Sequence, residues 1–114
     1  MVIDSILTSV KKTLGIAEDY THFDADIVMH INSVFMILQQ LGVGPKTGFY
    51  IEDDGTDWEE YVDNIAQLQM IKSYMYMKVR LLFDPPSSST HMNALTQSIN
   101  EFEWRLADQA EYIQ

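Results

Sequence analysis

Four groups of residues carry side chains able to hold phosphate, metal or substrate, and each can be set against the spacing its chemistry demands. Glycines at 42, 44 and 48 surround Lys46 and Thr47. A phosphate loop needs Gly, four residues, then Gly-Lys-Ser/Thr, so that consecutive backbone N–H groups wrap the anion. Here Pro45, which has no N–H, separates Gly44 from Lys46, and a helical pattern rather than a strand precedes the segment. It reads as a loop. Glu52, Asp53, Asp54 and Asp57 around Gly55 suggest a cation loop. An EF-hand requires acids at positions one, three and five, glycine at six and glutamate at twelve. With Gly55 at six, Tyr50 and Tyr61 occupy the first and last positions, and neither fits.

Asp26 and His30 stand four apart, with His22 and Asp24 nearby, a spacing that can hold a divalent metal. No further ligand is identifiable, and a surface pair one helical turn apart is the simpler account. His91 is isolated near a helix start. Glu59, Glu60 and Asp63 are close enough in sequence for paired-carboxylate acid–base work. They also sit in the most acidic stretch of the chain, where solvation explains them. No Ser or Thr has the context of a nucleophile elbow. No enzyme, cofactor or metal centre is therefore expected.

The elements that position these residues are mainly helical. Ile3, Ile6, Leu7, Val10 and Leu14 recur at helical spacing, and Gly15 follows as a stop, which predicts a first helix over 4–14. Asp4 or Ser5 can cap it, and Lys11 and Lys12 suit the negative end of its dipole. Ile27, Val28, Ile31, Val34, Phe35, Leu38 and Leu41 form the stripe of a second helix over 24–41, ended by Gly42. Residues 42–57 lose the helical period and predict an irregular or β-hairpin arm. Asp57 and Glu60, at capping-box spacing, open a third helical region that reaches 83, with a break near 63–64. Asp84-Pro85-Pro86 ends it, because proline lacks a donor and restricts the residue before it. A fourth helix follows the caps offered by residues 87–90, with Met92, Leu95, Ile99, Phe102 and Leu106 inward. The fold class is mainly α: a four-helix domain with one arm between the second and third helices. Its boundaries are set at 1–110, with 111–114 as a short tail.

Composition narrows the function classes. The 114 residues include 17 acids and seven Lys+Arg, a net charge of −10, and 46% are apolar. That supports one folded domain with a modest core. It argues against gripping nucleic acid through phosphates, which takes clustered Lys and Arg. There is no cysteine, so disulfides and thiolate metal sites are excluded. The N-terminal stretch lacks the basic and apolar regions of a signal peptide, and no run approaches the ~18 apolar residues of a membrane span.

The third helix is the most informative. One stripe is Leu68, Ile71, Met75, Val79 and Leu82; a second is Met70, Tyr74, Met77 and Leu81. Together they exceed the roughly 100° needed to face one core. Either the helix is central, or one stripe faces another subunit. Charge is also asymmetric. Residues 52–63 hold seven acids and no base, whereas residues 64–83 hold Lys72, Lys78 and Arg80 and no acid. Unlike surfaces on one subunit can pair within it or between copies, and a heterologous contact that closes makes a ring.

INSVFMILQQLGVGP at 31–45, the acidic arm ending at Trp58, YMYMKVRLLFDPP at 74–86 and FEWRL at 102–106 together resemble the small head-tail connector (adaptor) proteins of tailed bacteriophages. The resemblance extends from the first helix to about residue 110. It implies a small, helical, non-enzymatic virion protein at the head-tail interface. It further implies a ring of about twelve copies beneath a portal protein, extending the DNA channel and docking the next head-completion or tail protein. DNA would pass without sequence-specific binding, and no membrane is involved.

On this reading Lys72, Tyr74, Tyr76, Met77, Lys78 and Arg80 are expected at a subunit interface, and Arg105, Tyr112 and Ile113 at the portal. Glu52, Asp53 and Asp54 are expected to face the channel, because seven acids outnumber the three bases of a neighbour; pairing with that neighbour is the alternative. A rival reading from another class is a small acidic regulatory module that binds a basic protein partner.

Overall fold

The structure is a computed structural model that describes residues 4–62 and 64–113, with the backbone alone for 112 and 113. The order is α1 (Ile6–Thr13), α2 (Asp24–Gln40), a one-turn 3₁₀ helix (Trp58–Glu60), α3 (Ile65–Phe83) and α4 (Ser89–Ile113). The four expected helices are present. The expected break near 63–64 is the junction between the 3₁₀ turn and α3, where the Asn64 side chain caps α3 by accepting from the Gln67 N–H at 3.0 Å. α4 continues through Ile113, so the boundary expected at 110 falls within a helix.

Local signals set the ends. The Ser5 hydroxyl accepts from the Thr8 N–H at 3.3 Å and opens α1. α2 stops at Gly42, whose φ of +88° lies in the left-handed region that glycine enters at little cost. The chain then folds back, so that Val43 N–H reaches the Leu38 carbonyl at 2.9 Å and Gly42 N–H the Gln39 carbonyl at 3.0 Å. α1 closes with the same pair of bonds after Gly15. Between α3 and α4, Asp84 adopts a non-helical φ of −146° and ψ of 70°, as the following Pro85 requires.

The core lies mainly between α2 and α3. Ile27, Ile31, Val34, Phe35 and Leu38 meet Leu68, Ile71, Met75 and Val79, all buried. α3 also packs against α4, which contributes the buried Ile99, Leu106 and Ala110, with Leu95 and Phe102 partly buried beside them. α1 adds Ile6, Leu7 and Val10. α3 is thus the central helix, and its second apolar stripe is occupied within the subunit.

The arm is irregular rather than a hairpin: among the described residues its only bridge is an isolated antiparallel one between Ser5 and Asp57. Ile6 N–H donates to the Thr56 carbonyl at 3.0 Å, and Trp58 N–H to the Asp4 carbonyl at 3.1 Å. Farther back, Asn32 of α2 clamps Ile51, its Nδ2 donating to the Ile51 carbonyl at 3.0 Å and its Oδ1 accepting the Ile51 N–H at 2.8 Å. Aromatic rings seal the space beneath. Phe35, Phe49 and Tyr61 lie 4.7–5.0 Å apart by centroid, and the fully buried Trp58 donates its indole N–H to the Ser9 hydroxyl at 2.8 Å. Gly44 passes so close to Tyr61 that a Cβ there would stand 2.6 Å from the ring.

Candidate assembly surfaces

The six α3 residues expected at a subunit interface separate into three environments. Tyr74 is fully buried, and its hydroxyl donates to Glu103 Oε2 on α4 at 2.6 Å, so within the subunit it joins two helices. Burial first, then the bond to Glu103 and its charge, hold this phenol protonated well above its ordinary range. Met77 is partly buried against the same core.

Lys72 and Lys78 have carboxylate partners within the subunit. Lys72 pairs with Asp4, its ammonium 5.9 Å from the centre of the Trp58 ring. Lys78 lies 3.6 Å from Glu103, which therefore binds an ammonium and a phenol together. Arg80 differs. No carboxylate lies within ion-pair distance of it among the described residues. Its Nε is buried without an acceptor, and its terminal nitrogen reaches only the Tyr76 hydroxyl at 3.4 Å. Tyr76 and Arg80 border an open groove of about 430 Å³ between the end of α3 and the start of α4, shared with Pro86, His91 and Leu95.

Glu52, Asp53 and Asp54 are exposed at the tip of the arm and make no ion pair with any described base. Asp53 Oδ1 instead accepts the Gly55 N–H at 2.9 Å and closes the turn. Beneath the tip lies a second hollow of about 470 Å³ floored by Leu7, Ala25 and Val28. Asp57 is held above the usual carboxylate range by partial desolvation and by Glu60, Glu59 and Asp4 around it. Glu60 Oε2 accepts the Asp57 N–H at 2.7 Å, as the capping-box spacing predicts. Asp63 lies outside the described residues.

Of the residues expected at the portal, Arg105 is exposed and pairs with Glu101 one turn earlier at 2.8 Å. The side chains of Tyr112 and Ile113 lie outside the described part. The Asp26–His30 arrangement acquires no third ligand: the His30 ring lies 6.3 Å from Phe83, and no cluster of three metal-binding side chains occurs among the described residues. No described helix is long and apolar enough to cross a membrane.

Two structurally important residues, Lys11 and Asn32, do not stand out in the sequence reading. Lys11 is buried, with its ammonium 2.8 Å from Asp24 and donating to the Glu18 and Tyr20 carbonyls at 3.0 and 2.8 Å. Nothing local distinguishes it from the exposed Lys12. Asn32 is a polar residue within the apolar run of α2, a detectable signal. Large apolar side chains are also exposed singly, Met29 and Met36 on α2, Tyr50 on the arm and Trp104 on α4.

The sequence profile of the phage connector protein family matches residues 6–113, nearly the whole chain, and the chain belongs to that family. No curated protein and no solved structure matches it. The family is structural, so this is a non-enzymatic phage protein that assembles with other phage proteins.

Proposed function

We propose that this phage connector protein is a head-tail adaptor whose copies form a closed ring beneath the portal, extend the DNA channel and dock the next head-completion or tail protein. The family match over residues 6–113 carries the reading. Two features of the subunit support it. Its described chemistry-bearing residues converge on no reaction centre, whereas its surface offers unlike patches on different flanks: an acidic arm on one and the Arg80 groove on another. Unlike patches suit heterologous contacts, which generate rings when the rotation closes. A net charge of −10 suits a passage for DNA, because acidic walls repel phosphate and let the duplex slide. Arg105, Tyr112 and Ile113, at the far end of α4, are the proposed portal contact.

Electron microscopy of the full chain, alone and with its portal, tests the proposal. Rings of about twelve copies stacked coaxially on the portal are the expected result. A monomer or dimer that ignores the portal and binds a basic protein one to one would replace the connector role with that of an acidic regulatory module.

A further inference from the structure

Arg80 is the α3 cation without a carboxylate among the described residues. Lys72 is held by Asp4 and Lys78 by Glu103, but the Arg80 Nε is buried with no acceptor, beside an open groove. Arg80 lines the groove without a carboxylate partner among the described residues, and a planar, forked guanidinium there suits an anion it can grip with two parallel hydrogen bonds, such as a carboxylate. Tyr76 and His91 add polar groups to the walls, Pro86 and Leu95 an apolar floor, and neither the lining nor the first turn of α4 contains an acid. The groove's one charged side chain is the Arg80 cation, which is complementary to an acidic segment.

Such a segment is present on the same chain. Glu52, Asp53 and Asp54 are exposed and have no basic partner among the described residues of their own subunit. Arm and groove also lie toward the same end of the α2–α3 pair. α2 and α3 run antiparallel, with the Phe23 ring at the start of α2 set 5.4 Å from the Phe83 ring at the end of α3. The arm tip overhangs Ala25 and Val28, and the groove begins at Arg80, so both lie near that end. They occupy different flanks, because α3 packs between α2 on one side and α4 on another. Patches at one end of the α2–α3 pair on different flanks can be joined by rotation without a rise about an axis parallel to those helices, and a rotation without a rise is the condition for closure.

We propose that the acidic arm of one copy, led by Asp53 and Asp54, seats in the Arg80 groove of the next copy and forms the repeating contact of the ring. The contact rests on the ring reading of function and names its chemistry. It withdraws these acids from the channel wall, where the excess of acid over base in the sequence placed them. It also offsets part of the repulsion between neighbours that each carry ten net negative charges.

Variants of the full chain decide the matter by sedimentation and microscopy. Arg80→Ala, and separately Asp53→Asn with Asp54→Asn, should keep the wild-type helix content and raise the concentration for half-assembly about tenfold. The reversed chain, Arg80→Glu with Asp54→Arg, should recover assembly that Arg80→Glu alone loses, a rescue that mere structural damage would not allow. Wild-type rings from Arg80→Ala would overturn the contact and leave the ring reading standing. So would intact rings from the Asn variant that retain more DNA, since the arm would then line the channel. Loss of portal binding or of DNA binding on Arg80→Ala, with rings unchanged, would assign the groove to an acidic portal segment or to phosphate and overturn self-docking. A wild-type chain that stays monomeric with and without portal would instead remove the ring reading itself.

Discussion

Tyr74 donates its hydroxyl proton to Glu103 at 2.6 Å from inside the core, and this bond joins α3 to α4. Lys78 approaches the same carboxylate at 3.6 Å. One acid thus fixes the lateral position of α4 against two neighbouring turns of α3. α3, the helix the sequence marks as an interface candidate, is at the same time the internal spine of the subunit.

Tyr74→Phe should leave the fold intact and lower unfolding free energy by about 1.5–3 kcal/mol, the range for a hydrogen bond to a charged acceptor. Urea titration measures it. The pH dependence has a defined sign. The folded state holds the Tyr74 proton above the ordinary phenol value of 10, whereas the unfolded chain releases it there. Stability is therefore complete below pH 10 and falls as pH rises beyond it. Tyr61, raised by burial, acts in the same direction. The alkaline fall should be shallower in Tyr74→Phe; an unchanged slope would mean that the phenol titrates normally.

Lys11→Met should destabilise by about 3 kcal/mol, because it strips Asp24 of its ion partner and two carbonyls of their donor. Lys12→Met, next in sequence but exposed, should change stability by less than about 0.5 kcal/mol. Equal effects in thermal melts would show that Lys11 acts only through the helix dipole.

Asn32→Ala removes both bonds to Ile51 and should cost about 1–3 kcal/mol. The arm should respond before the helices do. Hydrogen exchange at the Ile51 amide should accelerate while helical circular dichroism holds. Unaltered exchange would mean that Phe49 and Ile51 anchor the arm by packing alone.

Replacing Pro85 and Pro86 by Ala should change ring assembly more than helix content. Asp84 would be released from its non-helical geometry, and the angle between α3 and α4 would loosen. Microscopy and circular dichroism on one sample read both quantities. Normal rings would remove the corner from the assembly mechanism.

Deleting residues 111–114 spares Ala110, a buried residue of α4, and should leave a folded subunit. Attachment to the portal should weaken. Binding at full strength in a pull-down would dismiss Tyr112 and Ile113 as portal contacts.

Signals carried by near neighbours in the chain are legible in the sequence itself. Glycine stops at 15 and 42, the break ahead of α3, the Asp84-Pro85-Pro86 corner and the four helices depend on backbone dihedrals, capping and a 3.6-residue period, all decided within a few residues. The failed phosphate-loop and EF-hand spacings are legible for the same reason. Partner choice is not. Lys72 meets Asp4 across 68 positions and Tyr74 meets Glu103 across 29, and no local rule selects those pairs. Lys11 and Lys12 are adjacent and alike in sequence, yet one is buried and the other faces water, because the connector at 18–20 folds over α1 on one side only. The sequence thus determined the helices and the charge asymmetry between arm and α3. Only tertiary packing decided which bases of α3 are neutralised within the subunit and which one, Arg80, has no carboxylate partner among the described residues, since ion pairing depends on distances of a few ångströms that the whole fold sets.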